Sequence, residues 1–388
     1  MPSAIVLGAG MVGSIMATDL AHDSDFTVTI ADTRPDALER AKARAGGSIN
    51  TIHADLGDIE TLKRTIAPFD IVVGALASLI GFQTLRAVIE AGKNYCDISF
   101  MPEDAIDLDT LAKEHGITAV VDCGVAPGMS NLLAARSVAE LDHADSIEIY
   151  VGGLPRQRRW PFQYKAGFSP SDVIEEYTRP SRIVEQGELV TRPALSEPEL
   201  LDFEGIGTLE SFNTDGLRSL AYTMQVPNMK EKTLRYPGHI ELMRVFRETG
   251  LFSHDEIEVG TGPDGGNSVR VRPIDVISTL MFPKWTYDPG EEDLTVMRIT
   301  VEGTKDNTRQ RHTWDLLDFY DKESQATSMS RTTAFPCTIM ARLVATGKLT
   351  QPGVNPPERL GHDASLVEHV LTEHHKRGVK YRHKVEAL

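Results

Sequence analysis

The chain is predicted to be an α/β protein: a doubly wound parallel sheet first, then a second, α+β domain. Three observations predict this. An apolar strand runs directly into a glycine-rich turn and a helix at the amino terminus. Strand and helix patterns then alternate with short joints to about Asp122. Beyond Gly124 that alternation gives way to β-rich stretches joined by loops rich in Pro, Gly and charge.

The first strand, Ala4 to Leu7, enters Gly8-x-Gly10-x-x-Gly13, and apolar residues at helical spacing follow (Val12, Ile15, Met16, Leu20). In such a turn the first glycine permits the bend, the second lets backbone approach a pyrophosphate, and the third lets helix and strand pack closely. The helix N-terminus, with Met11 and Val12 in its first turn, offers N–H groups and positive dipole to phosphate. A second strand, Phe26 to Ala31, ends in Asp32, about 20 residues on, where a carboxylate binds a ribose 2′-hydroxyl in Rossmann-type domains. A helix cap ahead of Pro35 is the alternative role for Asp32. A carboxylate beside a 2′-phosphate is repulsive, so the expected cofactor is NAD rather than NADP. Arg34, two residues on, is the one nearby group that would pair with that phosphate.

The remaining strands are expected at Ser48–His53, Asp70–Leu76, Asn94–Ile98 and Ile117–Asp122, with helices beginning near Met11, Pro35, Asp58, Ile80 and Pro102. Ligands in doubly wound sheets sit beyond the carboxyl ends of strands, near the switch in strand order. This brings forward Ala75 and Leu76 after the fourth strand and Asp97 at the end of the fifth. Asp55, after the third, fits an adenine-edge contact or a helix cap equally. The cofactor domain is expected to span 1–123 and to be completed by 345–388. The substrate-binding and dimerisation domain is expected to span 124–344, with strands at Ser146–Gly152, Ser219–Val226, Ser268–Val271, Leu280–Phe282 and Leu294–Glu302. A helical pattern returns at Phe335–Thr346.

Composition bounds the function. The 388 residues carry a formal net charge of −16, which argues against nucleic acid, whose binding needs clustered Lys and Arg. Three widely spaced cysteines, Cys96, Cys123 and Cys337, form neither a disulfide framework nor a zinc pattern, so no metal is expected. The longest weakly polar run, Ile71 to Phe82, is too short for a bilayer, which takes ~20 residues. With no basic leader at the amino terminus, a cytoplasmic protein without membrane partners is expected. The charged, His-bearing tail from Glu373 to Lys384 reads as a solvated terminal face, with a metal site as the alternative.

Several stretches carry chemistry. Asp122 ends a strand, and Gly124-Val125-Ala126-Pro127-Gly128 feeds a helix start at Ser130 and Asn131, an arrangement suited to a substrate carboxylate or to an interdomain hinge. Lys165 follows Phe162 and Tyr164, where desolvation would lower its pKa and make it a base; an exposed lysine is the plainer alternative. Glu210 and Asp215 are acids suited to a substrate ammonium, although Asn213 to Gly216 also reads as a polar turn. In Lys232-Thr233-Leu234-Arg235-Tyr236-Pro237-Gly238-His239, Arg235 suits a carboxylate, and Tyr236 and His239 suit holding or relaying a proton. A surface ion pair and a packing ring remain open for Arg235 and Tyr236.

Taken together, these stretches resemble the saccharopine dehydrogenase-like family, and within it the lysine 6-dehydrogenase branch. The resemblance rests on Gly8–Gly13, Cys96-Asp97-Ile98-Ser99-Phe100, Val121-Asp122-Cys123-Gly124-Val125-Ala126-Pro127-Gly128-Met129-Ser130-Asn131 and Phe162-x-Tyr164-Lys165. It continues through Glu176-Tyr177-Thr178-Arg179-Pro180, Gly207-Thr208-Leu209-Glu210, Lys232–His239 and Thr327–Thr333, most of the chain. It implies an NAD-binding domain and a substrate domain that also forms a homodimer or larger homo-oligomer. The reaction it implies is oxidative deamination of the ε-amine of L-lysine to the semialdehyde, which cyclises to a piperideine carboxylate. On that reading Lys165 and His239 are the candidate bases, with Asp97 and Asp122 as alternatives. Arg235 holds the α-carboxylate, and Glu210 or Asp215 the α-ammonium. The alternatives are a saccharopine- or opine-type condensation of an amine with a keto acid, and a non-catalytic NAD-binding protein.

Overall fold

A computed structural model describes residues 1–22, 26–260 and 268–388. Seven parallel strands form the first sheet, in the spatial order Gly353–Asn355, Thr118–Val120, Asn94–Asp97, Ile71–Gly74, Ser3–Leu7, Thr27–Asp32, Asn50–His53. The order reverses between Ser3–Leu7 and Ile71–Gly74, so the ends of those two strands, Gly8 and Ala75, bound the crevice that doubly wound sheets use for ligands. Both faces are covered: Ile5, Leu7 and Val72 pack on one side, Ala4, Val6 and Val73 on the other. Alternate residues of one strand therefore enter different cores, which is why these strands read as continuous apolar runs.

The second sheet has nine strands and is mixed. Its long centre, His143–Pro155, pairs in parallel with Asn228–Arg235 and antiparallel with Asp293–Lys305. Thr308–Phe319 follows on one side and Gly207–Asn213 with Glu199–Phe203 on the other. The helix Ser328–Ala345 lies between the sheets, packed on strands of both and on the helix Met11–His22. Its N-cap, Thr327, accepts a hydrogen bond from Ser330 N–H. Asp19, on Met11–His22, gathers Thr338 and Arg342 from this long helix and Arg377 from the tail at 2.6–2.8 Å. Those contacts hold Asp19 ionised: burial raises its pKa, but Arg342 and Arg377 bring it below the usual carboxylate value.

Four expectations change. Leu280–Phe282 is not a strand but part of the helix Pro273–Trp285, whose Ile274, Met281 and Trp285 bury one face in an aromatic cluster. Ser219–Val226 holds only a one-turn helix, Leu220–Thr223, and the strand starts at Asn228. The returning helix begins at Ser328, seven residues early. The tail divides: Gly353–Asn355 joins the parallel sheet, whereas Tyr381–Ala387 pairs with Thr308–Phe319 of the second sheet. Residues 345–388 thus do not all return to the first domain. Among the described residues no helix is long and apolar enough to cross a membrane.

Candidate active site

A cleft of about 570 Å³ opens between the strand ends of the parallel sheet and the second sheet, a size typical of small-molecule sites. Its first wall is the glycine turn. Gly8 has φ +100°, and a Cβ there would meet Ala75 O at 2.5 Å; a Cβ on Gly13 would meet Gly8 O at 1.9 Å. Both positions accept only glycine. Around Gly10 a Cβ would meet nothing within 4 Å, so this backbone faces open space in the cleft, as a pyrophosphate contact requires. Gly10, Met11, Val12, Gly13, Ala75 and Leu76 all line the cleft; Gly8 lies beneath it. The residues fit a dinucleotide.

Asp32 is buried behind this end and is not among the residues that line the cleft. Its carboxylate accepts from Ala9 N–H at 2.7 Å and from Arg34 N–H and Nε at 2.9 and 3.1 Å. Burial opposes its ionisation, yet the hydrogen bonds from Arg34 and Ala9 hold it below the ordinary value. Arg34 lines the rim with its side chain 56% exposed. Asp55 does not reach the cleft: exposed, it accepts from Gly57 N–H at 2.9 Å in a local turn, while the helix cap is Asp58.

The other end is built from two periodic elements. On the helix Pro170–Thr178 and its C-cap, Asp172, Glu175, Glu176 and Arg179 line the cleft at i, i+3, i+4 and i+7, one helical face. On the strand Asn228–Arg235, Glu231, Thr233 and Arg235 line it at period two. Thr214, Asp215 and Gly216 complete that side, and Phe100 forms part of the opposite wall.

Five carboxyl groups thus face three guanidinium groups around one cleft, and most of the charges are already paired. Asp215 takes Arg182 bidentately at 2.8 Å. Arg235 donates to Glu176 at 2.5 Å, to Tyr177 Oη at 3.1 Å and to Leu234 O at 3.0 Å. Arg179 meets Glu175 at 3.4 Å and lies over the Phe100 ring, but its Nη1 is buried without a hydrogen-bond partner. Among the described residues, Asp172 and Glu231 form no ion pair. Burial raises the Asp172 pKa, opposed by a hydrogen bond from Ser78 and reinforced by Glu175. Burial pushes Glu231 up to about 8, against its bond from the Thr214 hydroxyl and with help from the neighbouring Glu176.

Several expected site residues stand elsewhere. Lys165 turns away from the cleft: its Nζ pairs with Glu291, lies 3.7 Å from Asp288 and donates to Thr286 O at 2.9 Å. Paired there and outside the cleft lining, it is poorly placed as a base. His239 is 1% exposed and sits behind Tyr177. A backbone carbonyl only accepts, so Nδ1 donates to Phe162 O (2.9 Å) and Nε2 accepts from Tyr177 Oη (2.9 Å), whose oxygen in turn accepts from Arg235. Burial, then Arg235, bring its pKa to about 3, so it positions Arg235 as a neutral ring. Asp97 is fully buried and raised to about 6 by burial, and it holds Ser99, which does line the cleft, at 2.9 Å. Asp122 pairs with buried Arg218 at 3.3 Å beneath the cleft. Glu210 accepts from Gly238 N–H, and Tyr236 donates to Pro155 O under the Arg158 guanidinium; neither lines the cleft.

A saccharopine dehydrogenase NADP binding domain model matches residues 4–120, and a saccharopine dehydrogenase C-terminal domain model matches 124–379. The NADP(+)-dependent, L-glutamate-forming saccharopine dehydrogenase of Schizosaccharomyces pombe is 22% identical, covering 96% of this chain and 97% of the relative. Carboxynorspermidine synthase of Vibrio cholerae is 24% identical over 94% of each. The fold matches apo saccharopine dehydrogenase (L-Glu forming) from Saccharomyces cerevisiae with a TM-score of 0.81 and 18% identity over the whole of both chains.

Proposed function

Because the chain belongs to the saccharopine dehydrogenase family, oxidoreductases acting on amino groups with a nicotinamide cofactor, we propose that it oxidatively deaminates the ε-amine of L-lysine. The observation that carries this reading is the pair of carboxyl groups, Asp172 and Glu231, which form no ion pair among the described residues, in a cleft that also presents Arg179. A site built this way attracts an ammonium at one point and a carboxylate at another, the two ends of an amino acid. Residues 1–123 would hold the cofactor and 124–344 the substrate.

Gly10, Met11, Val12 and Gly13 would hold the dinucleotide phosphates and Asp32 the ribose, which favours NAD over the NADP named for the relatives. The bound nicotinamide supplies a hydride acceptor. Hydride leaves an amine-bearing carbon only when nitrogen has a lone pair, and an ε-ammonium, pKa about 10.4, has none. Glu231, ionised above its raised pKa, takes that proton. Loss of hydride from Cε then leaves an iminium ion; Glu231, having passed the first proton to solvent, takes a proton from the water that adds to the carbon. That proton returns to the nitrogen, ammonia departs as the carbonyl forms, and the aldehyde carbon condenses with the α-amine with loss of water. Arg179, steadied on Phe100, holds the α-carboxylate; Arg235, all three of its nitrogens engaged, orders Glu176.

The test is reduced-nicotinamide absorbance with NAD and L-lysine, with ammonia measured in parallel. Equal yields of NADH and ammonia are expected. A second reading, reductive condensation of an amine with a keto acid, draws support from the names of the relatives; oxidation of NADH or NADPH that requires both partners would establish it instead. The exposed Ile257, Val259, Val269 and Leu280 lie on the paired strands Ile257–Val259 and Val269–Val271 and on the helix Pro273–Trp285, which suits a homodimer face. Light scattering of the purified protein reads that directly.

A further inference from the structure

On the face of the second sheet that packs against the helix Met129–Glu140, Glu140, His312 and His383 bring one ligand atom each to within 4.8 Å of one another. They come from three elements. Glu140 ends the helix Met129–Glu140, His312 lies inside the strand Thr308–Phe319, and His383 lies on the terminal strand Tyr381–Ala387. His312 is 3% exposed, and neither of its ring nitrogens has a hydrogen-bond partner. A buried imidazole so placed costs free energy that a ligand would recover. Its Nδ1 stands 3.4 Å from Glu140 Oε2, while Arg136 holds the other carboxylate oxygen, Oε1, at 2.7 Å. His383 is stacked on Trp314 with ring centroids 3.9 Å apart and planes 6° from parallel, and Trp314 is itself anchored by its Nε1–H to Ser137.

From this geometry we infer that Glu140, His312 and His383 form a binding site for a divalent transition ion of the zinc class, which clips the terminal strand to the helix Met129–Glu140. Two imidazoles and a carboxylate suit such an ion far better than Mg²⁺ or Ca²⁺, which prefer all-oxygen shells. Tetrahedral zinc at about 2.1 Å places its donors about 3.4 Å apart, so the three groups close on the ion with little more than an ångström of movement. Glu140, with a third of its side chain exposed, has room to supply it. Water takes the fourth position, since the site opens into a groove lined by Arg136, Trp314, His375 and His383. Helix Met129–Glu140 begins directly after Gly124–Gly128 of the cleft, so the clip ties the tail to an element that helps frame the active site.

Full-length protein stripped with a chelator and titrated calorimetrically with Zn²⁺ tests this. One equivalent should bind, and Co²⁺ in its place should give the visible bands of a low-symmetry site. His312→Ala and His383→Ala should each weaken binding by about tenfold or more, at least the effect of losing a group that merely supports a ligand. His383 lies exposed on the last strand, so H383A should fold normally, as circular dichroism would verify. Zinc should also raise the thermal midpoint of the wild type and not of H383A. No stoichiometric binding, or one equivalent bound with equal affinity by the wild type and H383A, would overturn the inference.

Discussion

Replacing Glu231 with Gln removes the proposed proton acceptor while keeping its size and its contact with Thr214. The magnitude follows from two pKa values. Glu231 stands at about 8 and the ε-ammonium at about 10.4. At pH 8 half of the wild-type molecules carry the ionised carboxylate. The variant must instead capture lysine already deprotonated, a fraction of about 1 in 250 at that pH. The expected loss in kcat/KM is therefore about 10² at pH 8, within the usual range for general-base catalysis, and it shrinks to about twofold near pH 10.4. The two pH profiles should differ in shape as well as height: the wild type rises through about 8 and levels, and the variant climbs through about 10. Initial rates of NADH formation between pH 6 and 10.5, with NADH binding followed by fluorescence as a folding control, supply the data. A variant whose profile parallels the wild type, or one that loses less than about threefold at pH 8, would refute the reasoning.

The raised Glu231 pKa also predicts a stability trend. A carboxyl whose folded value lies above its ordinary 4.5 favours the fold when neutral, so stability should fall as pH rises from about 4.5 to about 8, and E231Q should flatten that slope in thermal melts of the cofactor-free protein. Lys165→Ala should leave kcat/KM within about threefold, because Nζ faces Glu291 rather than the cleft; it should cost about 1–3 kcal/mol in denaturant unfolding by stranding that carboxylate. A collapse of kcat at unchanged stability would restore Lys165 as the base. With NAD and NADP compared side by side, the wild type should favour NAD by about tenfold or more, and Asp32→Asn should narrow the gap by relieving repulsion toward a 2′-phosphate. An NADP preference in the wild type would instead assign Arg34 to that phosphate.

Much of the first domain was legible because its signals are local. The Gly8–Gly13 turn, its flanking strand and helix, and Asp32 at the next strand end lie within 32 residues, and the structure sets the steric reason beside each. The substrate end was read less well. Arg235 was found as a single residue, but the strand ending in it was not recognised, so Glu231 and Thr233, on the same face at period two, were missed. The i, i+3, i+4, i+7 spacing of Asp172, Glu175, Glu176 and Arg179 was equally available in the sequence. The ion pairs of Lys165 and Asp215 are not legible in the sequence for another reason. Glu291 lies 126 residues from the lysine and Arg182 lies 33 from the aspartate, so the pairings that occupy them are set only by tertiary folding. The tail misled similarly: nothing local in Tyr381–Ala387 reveals that it completes the second sheet beside Thr308–Phe319.

The most direct test of the central claim follows the nitrogen. With NAD and lysine labelled with ¹⁵N at the ε-position, the account predicts labelled ammonia in step with NADH, and a cyclic product retaining only the unlabelled α-nitrogen. Label retained in a secondary amine, formed only when a keto acid is added, would contradict deamination and establish the condensing reaction in its place.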